Sequence, residues 1–205
     1  MRNEKRHKVS YPKDFERDIR EHKKQRIYDC VAFFNELDLL ELRLEELYDD
    51  VDYFVIAEGT RTFSGDTKEL YFNNNKKRFK KWEKKIIHVI VDMPQLNAFD
   101  KFLTNLEKTL PRKIQLFLRK VLYNIVGGVS TYKLAEIGKR GIVAGLTHAK
   151  DSDIIMGIDI DEIPRRSKIK DMVAGLKTHR FVEFEEQNYR YFLNGEVTGR
   201  KLPAT

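Results

Sequence analysis

The chain of 205 residues is long enough for a single core, and a hydrophobic content of 41% excludes a disordered polymer. Charged residues reach 35% with a formal balance of +7, which suits an anionic partner such as a nucleotide, a nucleic acid, a phosphorylated substrate or a membrane surface. Cys30 is the only cysteine, so an intrachain disulfide and a cysteine-rich zinc site are excluded, and no apolar run approaches the roughly 18 residues of a spanning helix.

Residues 1–26 are charge-rich and nearly free of aliphatics. They lack the apolar centre of a signal peptide and read as a basic flexible arm. The texture then changes. "RIYDCVAFF" (26–34) is β-rich and mostly apolar, and predicts a buried strand. "NELDLLELRLEELYDD" (35–50) places Leu37, Leu40, Leu44 and Leu47 on one helical face, with Asn35 as the expected N-cap. "VDYFVIAEG" (51–59) predicts a second apolar strand ending at Glu58 and Gly59. Strand, helix and strand within about 30 residues make a βαβ unit, which implies a parallel sheet.

Residues 60–72 read as a loop turning at Ser64-Gly65-Asp66, and a strand is expected over Ile86–Val91 after a basic lead-in. Residues 97–126 predict two basic amphipathic helices split by Pro111. Residues 132–150 predict a helix that Gly138, Gly141 and Gly145 weaken. A strand over 154–158, a helix over 166–179 and one or two strands over 181–195 complete the chain. The expected fold is α/β, one domain over 27–205, with a mostly parallel central sheet flanked by helices.

In open parallel sheets ligands collect at the carboxyl ends of the strands. Glu36 follows the first predicted strand, Glu58 ends the second, and Asp159 with Asp161 end the fourth. Asp-x-Asp on an extended segment sends both side chains to one side. Two carboxylates so placed suit Mg²⁺ or Mn²⁺, hard cations that bridge protein carboxylates to substrate phosphates. Without a cation the paired charges would repel.

"IYDCVAFFNELDLLELRLEELYDDVDYFVIAEGTRTFSG" together with "DIIMGIDIDEIPR" resembles glycosyltransferase family 17, which contains the β-1,4-mannosyl-glycoprotein 4-β-N-acetylglucosaminyltransferases. The resemblance covers roughly residues 26–94 and 132–195. It implies a GT-A-type nucleotide-sugar fold that uses UDP-GlcNAc as donor, a glycan as acceptor and Mn²⁺ or Mg²⁺. By the same resemblance Asp161 would bind the metal directly, and Asp159 would sit nearer the ribose or the metal's waters. Phe34, Asn35 and Glu36 would border the nucleotide, with Glu58, Arg61 and Thr62 beside it and Arg140 facing the diphosphate. Inverting transfer needs a carboxylate to take the acceptor hydroxyl's proton, for which Glu183, Glu185 and Glu186 are the candidates.

Two departures accompany the resemblance. The chain stops soon after residues 189–192, short of a further segment that family members usually have, so a truncated chain is expected. Residues 97–131 read as a helical basic insertion. A DxD strand also opens haloacid-dehalogenase-type phosphatases, but Ile163 stands where those enzymes usually have Thr or Val. The alternatives are an inactive glycosyltransferase fragment or a basic binding module for nucleic acid or an anionic surface, using residues 1–26 and 97–126. No nucleic-acid motif appears, so no nucleic acid is expected, whereas contact with an anionic membrane through the basic regions stays open. With no apolar anchor in view, a cytoplasmic location is expected over the Golgi lumen.

Overall fold

The computed structural model describes residues 7–21, 24–62, 64–98, 100–101, 109–111, 114 and 131–184. They fall into two compact units, Met1–Asp161 and Glu162–Thr205. The first unit holds a five-stranded sheet of β1 (His7–Ser10), β2 (Ile27–Phe33), β3 (Tyr53–Gly59), β4 (Ile86–Val91) and β5 (Ile154–Gly157). Its spatial order is β1-β4-β3-β2-β5, with β2 to β5 mutually parallel and β1 antiparallel to β4. This is the expected mixed α/β architecture, consistent with a GT-A-like fold.

β3 is buried at every position, which is why "YFVIAEG" reads as an apolar run instead of an alternation. On one face Tyr28, Cys30, Tyr53, Val55, Ala57, Ile87, Val89 and Val91 make a continuous cluster. Helices α4 (Thr131–Arg140) and α5 (Ile142–Gly145) cover this face. The glycines that weaken the predicted 132–150 helix explain its shape. The helix breaks at Gly141, and a Cβ there would lie 2.2 Å from Val91 Cγ2; at Gly145 it would lie 2.5 Å from Val55 Cγ1. Both glycines let the backbone rest directly on the sheet.

The other face takes α2 (Leu37–Leu47), which buries Leu40, Arg43, Leu44 and Leu47. Burying each of those leucines contributes about 1.5–3 kcal/mol. The short helix α3 (Tyr71–Asn74) and a 3₁₀ turn (Lys80–Lys85) bury Phe72, Phe79 and Trp82.

Residues 7–21, expected to be part of a flexible arm, form β1 and α1 (Phe15–Glu21) instead. Phe15 is buried, stacks on Tyr11 at 4.5 Å and meets Tyr53 edge-on at 4.9 Å. The Tyr53 hydroxyl donates to Asp18. Net charge misleads here because four apolar side chains, Val9, Tyr11, Phe15 and Ile19, are enough to seat the segment against the cluster.

In the second unit α6 (Arg166–Gly175) buries Ile169 and Met172. Residues 181–184, expected to open a strand, carry no regular structure. The remainder of that predicted strand, and most of the predicted helical insertion at 97–131, lie outside the described residues.

Candidate active site

The sheet order reverses between β2 and β5: β3 and β4 continue to one side of β2, and β5 returns on the other. A ligand crevice opens at the carboxyl ends of strands where such a reversal occurs. Residues 34–36 follow β2 and residues 158–161 follow β5 at that edge of the sheet.

Beyond β2 the chain turns tightly. Asn35, the expected helix cap, does not cap; Glu36 occupies the N-cap position without a side-chain cap bond. Its carboxylate instead accepts the N–H groups of Phe34 (3.0 Å) and Asn35 (2.9 Å). Phe34 is half-buried, and its carbonyl accepts a bond from Lys68 Nζ at 3.0 Å. The Lys68 ammonium also lies over the Phe34 and Tyr71 rings, 5.2 Å from each centroid. Burial holds the Lys68 pKa below its ordinary value, opposed by Glu58 and Glu36.

At the end of β3 the structure turns Glu58 inward. It is fully buried, and its oxygens accept the backbone N–H groups of Phe72 (2.8 Å) and Asn73 (3.2 Å) and face His88 Nε2 at 3.0 Å. Lys68 Nζ stands 3.8 Å away. Glu58 thus tethers the start of α3. Arg61 and Thr62 serve the next loop. Arg61 donates to the carbonyls of Met93 (3.2 Å) and Gly65 (3.3 Å) and to Thr67 Oγ1 (3.2 Å). Thr62 Oγ1 accepts the Asp66 N–H at 3.1 Å. Gly65, at φ +90°, permits the turn.

The end of β5 is different. The strand stops at Gly157, and residues 160–161 lie in a turn, so the aspartates are not on the extended segment that period-2 alternation assumed. The outcome is nonetheless similar: Ile160 is buried at 7% exposure, and Asp159 and Asp161 on either side of it are exposed. Lys139, at the end of α4, donates to Asp159 Oδ1 at 2.8 Å. Arg140, the expected diphosphate contact, pairs with Glu136 one turn back on its own helix at 2.6 Å.

Among the described residues no group of three or more His, Cys, Asp or Glu side chains gathers into a metal site. Two exposed carboxylates fit a hard cation of the Mg²⁺ or Mn²⁺ type, which keeps several waters and takes one or two protein carboxylates plus substrate phosphate. Glu183, a candidate base, is exposed in the second unit; Glu185 and Glu186 lie outside the described residues.

Sequence reasoning missed Arg43. It is fully buried on α2 and forms a two-pronged pair with Asp29 on β2, Nε to Oδ2 at 2.7 Å and Nη2 to Oδ1 at 2.7 Å. Its third nitrogen, Nη1, donates to the carbonyls of Asp159 (3.1 Å) and, more weakly, Ile160 (3.4 Å). The signal was present, since residue 43 falls three after Leu40 and four before Leu47, on the apolar stripe. Lys139 carried no such signal.

Among the described residues no helix is long and apolar enough to cross a membrane. No curated protein and no solved structure matches the chain. A family model described as Glycosyltransferase family 17 matches residues 15–121, just over half of the chain. The match takes in α1, β2, α2, β3 and β4, including Asp29, Arg43 and Glu58, and runs into the segment read as an insertion; Asp159 and Asp161 lie beyond it. The chain belongs to glycosyltransferase family 17 and is a glycosyltransferase, acting between a sugar donor and an acceptor.

Proposed function

We propose that the protein transfers a sugar, GlcNAc from UDP-GlcNAc, to a glycan hydroxyl with inversion to a β linkage, in a divalent-cation-dependent reaction. One observation carries this reading: Asp159 and Asp161 stand exposed on the turn after β5, beside the reversal in strand order where an α/β sheet takes its ligand. Asp161 and Asp159 would hold Mn²⁺ or Mg²⁺, which, when bound, offsets the charge of the leaving diphosphate. Lys139 adds a cation at the same place. Phe34 and Asn35, beyond β2, line the facing side of the crevice.

The acceptor oxygen forms a bond to the anomeric carbon as the bond from that carbon to the diphosphate oxygen breaks. The acceptor's proton passes to a carboxylate, assigned in this reading to one of Glu183, Glu185 and Glu186. In this reading Glu58, Arg61 and Thr62 take no direct part, since their polar groups are engaged by backbone and side chains of the protein itself.

A thermal-shift titration tests the reading, with UDP-GlcNAc in the presence and absence of Mn²⁺, on the wild type and Asp161→Ala. A ligand that binds only the folded state stabilises it by about 2.7 kcal/mol at a hundredfold excess over Kd. The expected result is an Mn²⁺-dependent rise in Tm in the wild type that Asp161→Ala lacks. No response of the wild type to UDP-GlcNAc, UDP or Mn²⁺ would overturn it.

A further inference from the structure

We infer that Arg43 is a positioning residue for donor binding: from beneath the sheet it holds the backbone of the turn that carries Asp159 and Asp161. The inference rests on the proposed role of those two aspartates.

Burying an arginine is costly, and a well-packed hydrophobic pair in place of a buried ion pair is often as stable or more so. Leu40, Leu44 and Leu47 already make α2 adhere to the sheet. An Arg43–Asp29 pair therefore contributes something that packing alone does not. The sheet shows what that is. β5 pairs with β2 only as far as Cys30 opposite Gly157, while β2 runs on through Val31, Ala32 and Phe33. The chain from Ile158 onward thus leaves the ladder just before its two aspartates. Arg43 Nη1 supplies hydrogen bonds there, to the carbonyls of Asp159 and Ile160. Asp29 occupies the other two nitrogens and fixes the plane of the guanidinium, so Nη1 is aimed by β2. The buried Ile160 side chain anchors the same turn, leaving the flanking carboxylates outward.

A lysine could neutralise Asp29 but could not hold Asp29 with two prongs and the turn with a third. This makes the test specific. Two variants preserve charge balance in the interior: Arg43→Lys, and Arg43→Met combined with Asp29→Leu. For each, Tm, the affinity for UDP with Mn²⁺, and amide hydrogen exchange are measured on the full chain. The expected result is a folded protein whose amides at 158–161 exchange at least tenfold faster while those of β3 are unchanged. The Kd for UDP with Mn²⁺ should rise at least tenfold. Should the double variant fail to fold, Arg43→Lys still carries the test. Folded variants with unchanged exchange at 158–161, or with affinity within twofold of the wild type, would overturn the inference. A wild type that binds no UDP with Mn²⁺ would instead remove the donor-site reading on which it rests.

Discussion

The ends of β3 and β5 both deliver carboxylates to the same edge of the sheet, yet they use them in opposite ways. Glu58 closes β3 by turning inward, where two backbone N–H groups and His88 occupy it. Asp159 and Asp161 follow β5 outward, and the buried Arg43 guanidinium beneath them binds the carbonyls of Asp159 and Ile160. The difference follows from position. β3 is central and covered on both faces, so a charge at its tip must find partners within the protein. Among the described residues β5 lies at the edge of the sheet, with Ile155 and Gly157 exposed, and the aspartates beyond its tip are exposed. A carboxylate at a strand end is a ligand-binding candidate only where the strand leaves it outside.

Substitutions at the two ends should separate these roles, most forcefully in the buried charges. Asp29→Ala leaves Arg43 without its carboxylate and is expected to cost about 3–5 kcal/mol, read from urea unfolding. Glu58→Gln should follow at about 1.5–3 kcal/mol, the scale of hydrogen bonds to a buried charge. Its folded fraction should bind UDP with Mn²⁺ within twofold of the wild type; a selective loss of binding would reopen Glu58 as a ligand contact.

The closed interior also has a pH signature. Burial, with Asp153 nearby, pushes the Tyr28 pKa from 10.0 up to about 12. The folded protein therefore favours neutral Tyr28 more than the unfolded chain does. That stability is fully present below pH 10 and is lost as the pH climbs toward 12, at up to about 1.4 kcal/mol per pH unit. Among the described residues the buried Tyr28 hydroxyl has no hydrogen-bond partner, so Tyr28→Phe should flatten this part of the decline without destabilising the fold at pH 7. An unchanged slope in urea titrations from pH 9 to 11 would count against it.

At the open end stability should barely move. Lys139→Ala breaks a pair in which both side chains are more than half exposed, worth about 0.2–1 kcal/mol. Because Lys139 competes for Asp159 Oδ1, its removal should tighten binding of Mn²⁺ alone severalfold, as titration calorimetry would record. Asp161→Asn should change stability by no more than about 0.5 kcal/mol while abolishing Mn²⁺-dependent UDP binding. A large loss of stability there would show that the β5 tip is as structural as that of β3.

Much of this frame was legible from local pattern. The apolar runs at 26–34 and 51–59 and the leucine stripe between them read directly as β2, β3 and α2, and the aspartates were found because a strand so apolar ends in acids. Other readings failed for identifiable reasons. The amino-terminal segment was read by its charge, but β1 is set by pairing His7 with Val91 and Ser10 with His88, far along the chain. Glu58 and Asp159 look alike as strand-end carboxylates; only the packing of α3 distinguishes them. Arg140 and Lys139 are adjacent and equally basic, and helix phase gives Asp159 to Lys139 and Glu136 to Arg140.

By itself the sequence determined that β2, β3 and β4 would be strands and α2 a helix, that β2 and β3 would run parallel, and that acids would collect at their carboxyl edge. Those outcomes follow from the period of apolar residues and the short reach of a βαβ connection. Only the tertiary structure decided the partners of the charges: that Arg43, in the middle of a leucine stripe, joins Asp29 to a turn that lies 116 residues beyond Arg43 itself. Periodicity reports which side chains face inward. What a buried charge meets there depends on how distant segments pack, because its desolvation can be offset only by groups that packing brings within hydrogen-bond reach.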